Sequence, residues 1–544
     1  MLDITEVKRA FPAKEYRPYQ YQTLSKMTEA FNSGVKCILL EAPTGMGKSY
    51  VNATFCKLMK SFYATPQLSL IDQLLHDINL RGYFVEIKGR QNYPCVCDPP
   101  HTCDLCKTVR DKTWKCDKYT TNPYWMQKMK ALEANTALMS FTYLMLEGFT
   151  DTPYSFGHRK LLVLDEAHSI DRHAVEHLGF QVSPYTVTPQ IFTRIESYLH
   201  EYRSVEQVRT FIEYVLDLVE PQLQSYDLTL DGKVATEKQA KDMLRLQDFK
   251  HKAEQFLETQ PFTEWIWQLS FITLKDVGVR KRFILQPLYA KRFMGDLIWK
   301  KADLFIISSA TILDAKQFIA ENGLESVLRK DEILYLQVPS TFPPENRKMV
   351  DMTVGKMTRN YIDETLPKLV TAIEKIIELE KGKNIAIHCH SYKIATAIEK
   401  ALRPKYGGII IAHESTDRAD ALERWKHSKG KIFVSVAFEE GQDWVGDTCG
   451  AQIIVKAPFP DITDRRVAKR LEYKQWRWYW TEALKKSIQT YGRAVRASDE
   501  VKYTYVLDES FFQLISRCWK STPQWFKDAL PPQRNKDVVR NEAK

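Results

Sequence analysis

The sequence predicts an α/β chain of two doubly wound parallel sheets, with two insertions in the first. In "VKCILLEAPTGMGKSYVNATFCKLMK" a short apolar run breaks at a glycine-bearing loop and resumes with helix-permitting residues, which reads as strand, loop and helix. A second apolar run, Leu161 to Leu164 in "RKLLVLDEAHSID", has the continuous pattern of a buried parallel strand and ends in acidic residues. Further on, "KNIAIHC", "GGIIIAH" and "KIFVSVAF" alternate with helical stretches, the pattern of a second parallel sheet. At 544 residues the chain exceeds one core, and length alone suggests roughly three or four domains.

Composition narrows the class. Lys and Arg number 78 against 68 Asp and Glu, a formal charge of +10, which is compatible with a polyanionic partner without identifying one. The start, "MLDITEVKRAFPAKEYRP", lacks the basic-then-apolar pattern of a signal peptide, and no run of about 18 apolar residues occurs. Five of the 10 cysteines lie within residues 91–116, unlike the even framework of a small secreted protein. These features predict a soluble intracellular protein with no membrane association, in the cytoplasm, nucleoid or nucleus.

Gly45 and Gly47 let backbone N–H groups curl around a phosphate without Cβ clashes, and the helix that follows adds its dipole. Thr44 belongs to the same loop. Lys48 is placed to reach the β- and γ-phosphates of ATP and Ser49 to ligate Mg²⁺. Ala42 stands where the full phosphate-loop pattern has glycine. At the C-terminal end of the 161–164 strand, where α/β sheets bind ligands, Asp165 would hold Mg²⁺ through water and Glu166 would orient and deprotonate the attacking water. His168 would couple hydrolysis to movement.

These paired motifs resemble superfamily 2 helicases, in which the Ala42 variant of the loop is common, and further segments follow in that family's order. "EYRPYQYQ" resembles the adenine-side motif, with Arg17 and Gln20 as candidates; "FYATPQLSL" resembles motif Ia and "LFIISSATIL" motif III, with Ser309, Ala310 and Thr311. "NIAIHCHSYKIA" resembles motif IV and "VSVAFEEGQDWVGD" motif V, with Glu440, Gly441 and Asp443, the last a nucleotide-binding candidate. In motif VI, "QTYGRAVRASDE", Gln489, Arg493 and Arg496 fall on one helical face, and the arginines would act as fingers on the γ-phosphate when the two sheets close.

The segment "QNYPCVCDPPHTCDLCKTVRDKTWKC" has the spacing C-x-C-x₅-C-x₂-C-x₉-C, which points to metal ligation or disulfides. It is preceded by Lys88, Gly89, Arg90, Asn92 and Tyr93, which with Cys95 resemble the K-G-R-x-N-Y-x-C signature of the XPD/DinG branch of iron–sulfur helicases. "VPSTFPPENRKM" and the run from "KAPFPDITD" into motif VI are further branch marks. The resemblance implies a [4Fe-4S] cluster on Cys95, Cys103, Cys106 and Cys116, with Cys97 spare. Zinc is the alternative, since sequence reports thiolates and not the ion they hold. Tyr93, Trp114, Tyr119, Tyr124 and Trp125 interleave with Lys88, Arg90, Lys107, Arg110, Lys112, Lys115 and Lys118, the composition of a single-strand groove or of a cover for the metal site.

The branch implies two RecA-like motor domains carrying a cluster domain and a mainly helical arch. The expected division is 1–87, 126–180 and 286–334 for motor domain 1, 88–125 for the cluster domain, 181–285 for the arch and 335–544 for motor domain 2. In the arch, "PQIFTRIESYLHEYRSVEQVRTFIEYVLDLVEPQL" and "TEKQAKDMLRLQDFKHKAEQFLETQ" are helical in spacing, whereas "FTEWIWQLSFITLKDVGVRKRFILQPL" alternates and turns, as strands returning to the motor. In "AKRLEYKQWRWYWTEALKK", Tyr473, Trp476, Trp480 and Leu484 recur as one buried helical face, leaving Arg477 and Trp478 as candidates for strand contact. The resemblance implies a monomeric, ATP-dependent DNA helicase moving 5′ to 3′ on single-stranded and forked DNA, in DNA repair. A translocase that displaces proteins without unwinding, and a zinc-containing ATPase switch, are the rivals. Pathway, organism, protein partners and preferred DNA structure are open.

Overall fold

A computed structural model describes residues 1–96, 101–105, 122–147, 155–229, 236–259, 264–274, 278–413, 418–436, 448–493 and 501–532. Its strands are β1 (Cys37–Glu41), β2 (Ser61–Thr65), β3 (Val85–Glu86), β4 (Thr136–Ser140), β5 (Arg159–Asp165), β6 (Phe180–Val182), β7 (Trp265–Leu274) and β8 (Gly278–Pro287). They continue with β9 (Ala302–Ser309), β10 (Ile333–Gln337), β11 (Met349–Gly355), β12 (Ile385–His388), β13 (Ile410–Ala412), β14 (Ile432–Ser435), β15 (Ala451–Ile454) and β16 (Tyr503–Asp508).

Seven strands form the first sheet in the order β10-β1-β9-β5-β2-β4-β3, with every pair parallel. Buried on both faces, β1 and β2 are closed to solvent along their length, as expected of a sheet covered by crossover helices. A second parallel sheet has the order β11-β16-β15-β12-β14-β13. These are the two parallel sheets that the strand–helix alternation predicts, and they fit the two RecA-like domains that the resemblance implies. The boundary expected at 334/335 differs: β10 pairs with β1, Ile333 against Cys37 through Gln337 against Glu41, so the first sheet runs to residue 337. The alternating apolar pattern of "ILYLQ" identifies a strand but not which sheet takes it.

Between β5 and β9 the chain builds a separate unit. Helices Val205–Thr229 and Glu237–Thr259 pack on an antiparallel sheet ordered β6-β8-β7. The β7–β8 hairpin pairs with Phe180–Val182, and among the described residues it meets the motor through helices Ile170–Leu178 and Arg465–Glu472 and not through a strand of the parallel sheet. Phe180, Phe211, Phe249, Phe256 and Phe283 give this unit a core of its own.

The aromatic stretch before motif VI is also rearranged. Helix Arg465–Glu472 stops at Tyr473, Lys474 adopts φ +58°, and a new helix runs from Trp476 to Tyr491. That break changes the helical phase. Tyr473 and Trp476 are exposed, Trp480 is half-buried and Leu484 is buried, whereas the supposedly outward Trp478 is buried, on the side of the second helix from which Thr481 bonds Gln317 of the first unit. Trp478 covers Arg470, whose guanidinium lies 4.3 Å from its ring and 4.6 Å from that of Tyr289. Fully buried Arg470 pairs with Glu321 at 2.7 Å, and Arg466 with Asp171 at 3.2 Å, tying the second unit to the first. Arg477 pairs with Asp314.

Candidate functional site

The first two sheets enclose a cavity of about 470 Å³, lined by Arg17, Thr44, Gly45, Gly47, Lys48, Ser49, Asp165, Glu166, His168, Gln489 and Arg493 among others. Its floor follows from the loop after β1. Gly45 and Gly47 have φ of +85° and +82°, a region where L side chains are strained, and helix Lys48–Leu58 starts directly behind them. A Cβ on Gly45 would also lie 2.2 Å from the Phe342 ring, and one on Gly47 2.4 Å from Gln20 Nε2. Lys48 is buried, donates to the Ala42 carbonyl at 3.3 Å and pairs with Glu166 at 3.4 Å.

Asp165 closes the end of β5. Its Oδ1 accepts from Ser308 Oγ at 2.9 Å and the Glu166 N–H at 3.0 Å, and its Oδ2 from Tyr63 Oη at 2.7 Å. Glu166 turns into the cavity with φ +52°. Burial and the neighbouring Glu166 charge raise the Asp165 carboxyl. Burial also opposes the Glu166 charge, but Lys48 and His168 outweigh it and hold that carboxyl at about 2.

The far wall comes from the second unit. Gln489 Nε2 donates to His168 Nε2, which leaves the ring proton on Nδ1, 2.9 Å from Ser309 Oγ. The same amide lies 3.3 Å from Thr311 Oγ1, and Thr44 Oγ1 donates to the Gly492 carbonyl at 3.3 Å. Arg493 is buried at the wall. The helix ends at Tyr491, so Arg493 sits in the following turn and not on a face continuous with Gln489, a correction to the motif VI reading. Arg496 and Asp443, with Glu440 and Gly441, lie outside the described residues.

Arg17 and Gln20 take different places. Arg17 lines the cavity while its Nη1 donates to the Gly45 carbonyl at 2.9 Å. Gln20 is fully buried and donates to the carbonyls of Met46 at 3.0 Å and Gly47 at 3.4 Å, holding the loop from behind. Tyr63, Ser308 and Phe342 escaped the sequence reading. Nothing local marks them, because their partners belong to other strands or loops.

Cys95 and Cys103 are buried side by side at the edge of the first core. The bridge pairing Pro94 with Thr102 is antiparallel, which puts Cys95 and Cys103 on one face of it as a diagonal pair. Cys97, Cys106 and Cys116 lie outside the described residues, as do Trp114, Tyr119, Lys107, Arg110, Lys112, Lys115 and Lys118. Among the described residues, Arg90 stacks on Tyr124 and Trp125 at 5.2 and 5.3 Å, and Lys88 pairs with Asp72 and Glu86. An open cavity of about 620 Å³ elsewhere, on the second unit, is lined by Lys356, Tyr361, Trp476, Trp480 and Arg517 among others.

Residues 13–193 match the family described as type III restriction enzyme, res subunit, and residues 373–529 the helicase C-terminal domain. The chain is 21% identical to ATP-dependent DNA helicase YoaA of Escherichia coli (strain K12), over 98% of this chain and 97% of that protein. It is 25% identical to ATP-dependent DNA helicase DinG of Photobacterium profundum, over 51% and 43% respectively. A solved structure titled XPD helicase shares the fold at a TM-score of 0.61 and 15% identity, covering 94% of this chain and 99% of its own.

Proposed function

Because the chain belongs to the XPD/DinG type of superfamily 2 DNA helicases, we propose that it moves 5′ to 3′ on one DNA strand and unwinds the duplex ahead. The observation that carries this reading is that the ATP cavity is shared. Lys48, Asp165 and Glu166 come from one sheet and Gln489 and Arg493 from the other unit, so chemistry at the phosphates and the approach of the two units depend on each other.

Lys48 binds the β- and γ-phosphates, backbone amides of the loop cradle them, and Arg17 lies on the base side with Gln20 supporting the loop. As the phosphates draw Lys48 away from Glu166, that carboxylate loses the charge that depresses its basicity and can take a proton from the attacking water. Arg493, with Arg496, stabilises charge on the γ-phosphate in the transition state. Asp443 completes the proposed nucleotide-binding set. Ser49 and Asp165 supply the oxygen donors that suit Mg²⁺, which when bound with ATP neutralises phosphate charge. His168, bonded to Ser309 and Gln489, reports the state of the site across the cleft.

The exposed Trp476 and Tyr361, with Lys356 and Arg517 beside them, offer stacking faces and phosphate partners for a single strand. Residues 181–285 form the arch and 88–125 the cluster domain. The test uses forks carrying a single 5′ or 3′ tail: ATP-dependent strand separation is expected only with the 5′ tail. Separation from the 3′ tail would overturn the polarity, and ATP-driven protein displacement without separation would overturn the unwinding.

For the cluster, the shared face of Cys95 and Cys103 fits two thiolates on one group, with Cys106 and Cys116 completing the set. When bound, a four-iron cluster supplies a cross-link that fixes this domain. Anaerobically purified protein is expected to be brown with iron and acid-labile sulfide each near four per chain, and Cys103→Ser to lose both. Colourless protein with stoichiometric zinc would show the other metal.

A further inference from the structure

We infer that Tyr63 is a positioning residue for nucleotide hydrolysis, aiming the Asp165 carboxylate so that one side of Oδ2 serves the magnesium ion of the bound nucleotide. The inference rests on the reading of Asp165 as the magnesium-side carboxylate. It follows from strand order. β5 lies between β2 and β9, so the last residue of β5 can be gripped from both flanks. On one side Ser308 is the register partner of Asp165. On the other, Tyr63 pairs with Val163, two residues earlier on the same face, and its long side chain reaches forward to Oδ2.

Donor and acceptor roles fix the direction of each bond. Asn52 Nδ2 donates to Ser308 Oγ at 2.8 Å, which leaves the Ser308 proton for Asp165 Oδ1 at 2.9 Å, the nearer acceptor beside the Leu164 carbonyl at 3.5 Å. Oδ1 also accepts the Glu166 N–H and is thereby filled. An ionised carboxylate offers about four lone-pair positions. Three are used among the described residues, two on Oδ1 and one on Oδ2. The fourth is the second position of Oδ2, and Asp165 lines the phosphate cavity. Tyr63, Asn52 and Ser308 are all fully buried, so none of these donors exchanges its bond for water. Tyr63 packs in the core against Phe84 with ring centroids 5.1 Å apart, which a phenylalanine at 63 would reproduce. The hydroxyl is therefore dispensable for packing, and its bond to Asp165 is what the phenol adds.

Outer partners of a metal-side carboxylate typically contribute 10–100-fold in metal affinity. The experiment titrates Mg²⁺ into the full-length protein with a fluorescent, non-hydrolysable ATP analogue, and reads analogue binding by anisotropy. Tyr63→Phe is expected to need about 10–100-fold more Mg²⁺ for the same gain in analogue affinity, with unchanged analogue affinity in EDTA and an unchanged melting temperature. Ser308→Ala should shift the titration in the same direction, and provides the measurement should the first variant fold poorly. Asp165→Asn, run alongside, should abolish the Mg²⁺-dependent gain. If Tyr63→Phe and Ser308→Ala titrate like the parent while Asp165→Asn does not respond, the positioning role is refuted and the reading of Asp165 stands. If Asp165→Asn itself titrates like the parent, that reading is wrong and the inference falls with it.

Discussion

Replacing Arg493 by alanine is expected to lower DNA-stimulated ATP turnover by about 10³–10⁵-fold with little change in nucleotide affinity. Arg493 reaches the cavity from the turn after Tyr491, one residue beyond the Gly492 carbonyl that Thr44 bonds from the opposite side. A guanidinium carried by the second unit acts on the phosphates only to the extent that the two units close, so its contribution belongs to the transition state. Single-turnover hydrolysis measured beside equilibrium nucleotide binding separates the two effects. Equal losses in rate and affinity would assign Arg493 to holding the units together.

Glu166→Gln is expected to cost about 10²–10⁴-fold in turnover, the usual span for removing a positioned base, while ATP stays bound. Two features set this outcome. The backbone at 166 already adopts φ +52°, and glutamine occupies the same volume, so the geometry survives. The amide, however, accepts no proton and forms no ion pair with Lys48, which leaves Lys48 free for phosphate. Slow hydrolysis with retained or tighter ATP binding in a filter assay would agree; a parent-like rate would remove Glu166 from the mechanism.

Much of this site is legible in the sequence because the relevant chemistry is local. The glycines, Lys48 and Ser49 stand together after one strand, and Asp165 and Glu166 stand at the end of another, so strand–loop–helix grammar is enough to place them. What is illegible depends on contacts between distant segments. Tyr63 reads as one more apolar-strand aromatic until β2 is known to flank β5. The stripe from Tyr473 to Leu484 assumes one unbroken helix, and no glycine or proline marks the reversal at Lys474, whose φ of +58° rotates every later side chain. Trp478 is mistaken for a surface residue because what it covers, the buried Arg470 paired with Glu321, is brought to it by the preceding helix and the first unit. Motif VI has its own local stop, since Gly492 follows the last helical residue, but the i, i+4 spacing conceals it.

The assignment of β10 to the first sheet has a mechanical consequence. The backbone crosses between the sheets once, through residues 338–348, and this crossing leaves from the strand beside β1, which feeds the phosphate loop. It is also pinned: Phe342 presses on Gly45, and the buried Arg347 bonds the carbonyls of Phe342 and Trp525. A joint so placed would act as a lever whose pivot lies beside the phosphate loop. Movement of the loop by a fraction of an ångström would turn the second unit about a nearby axis, and parts of that unit farther from the pivot would travel proportionally farther. The short arm lies at the phosphate loop, so on the proposed mechanism the packing of Phe342 on Gly45 would limit how far the second unit turns.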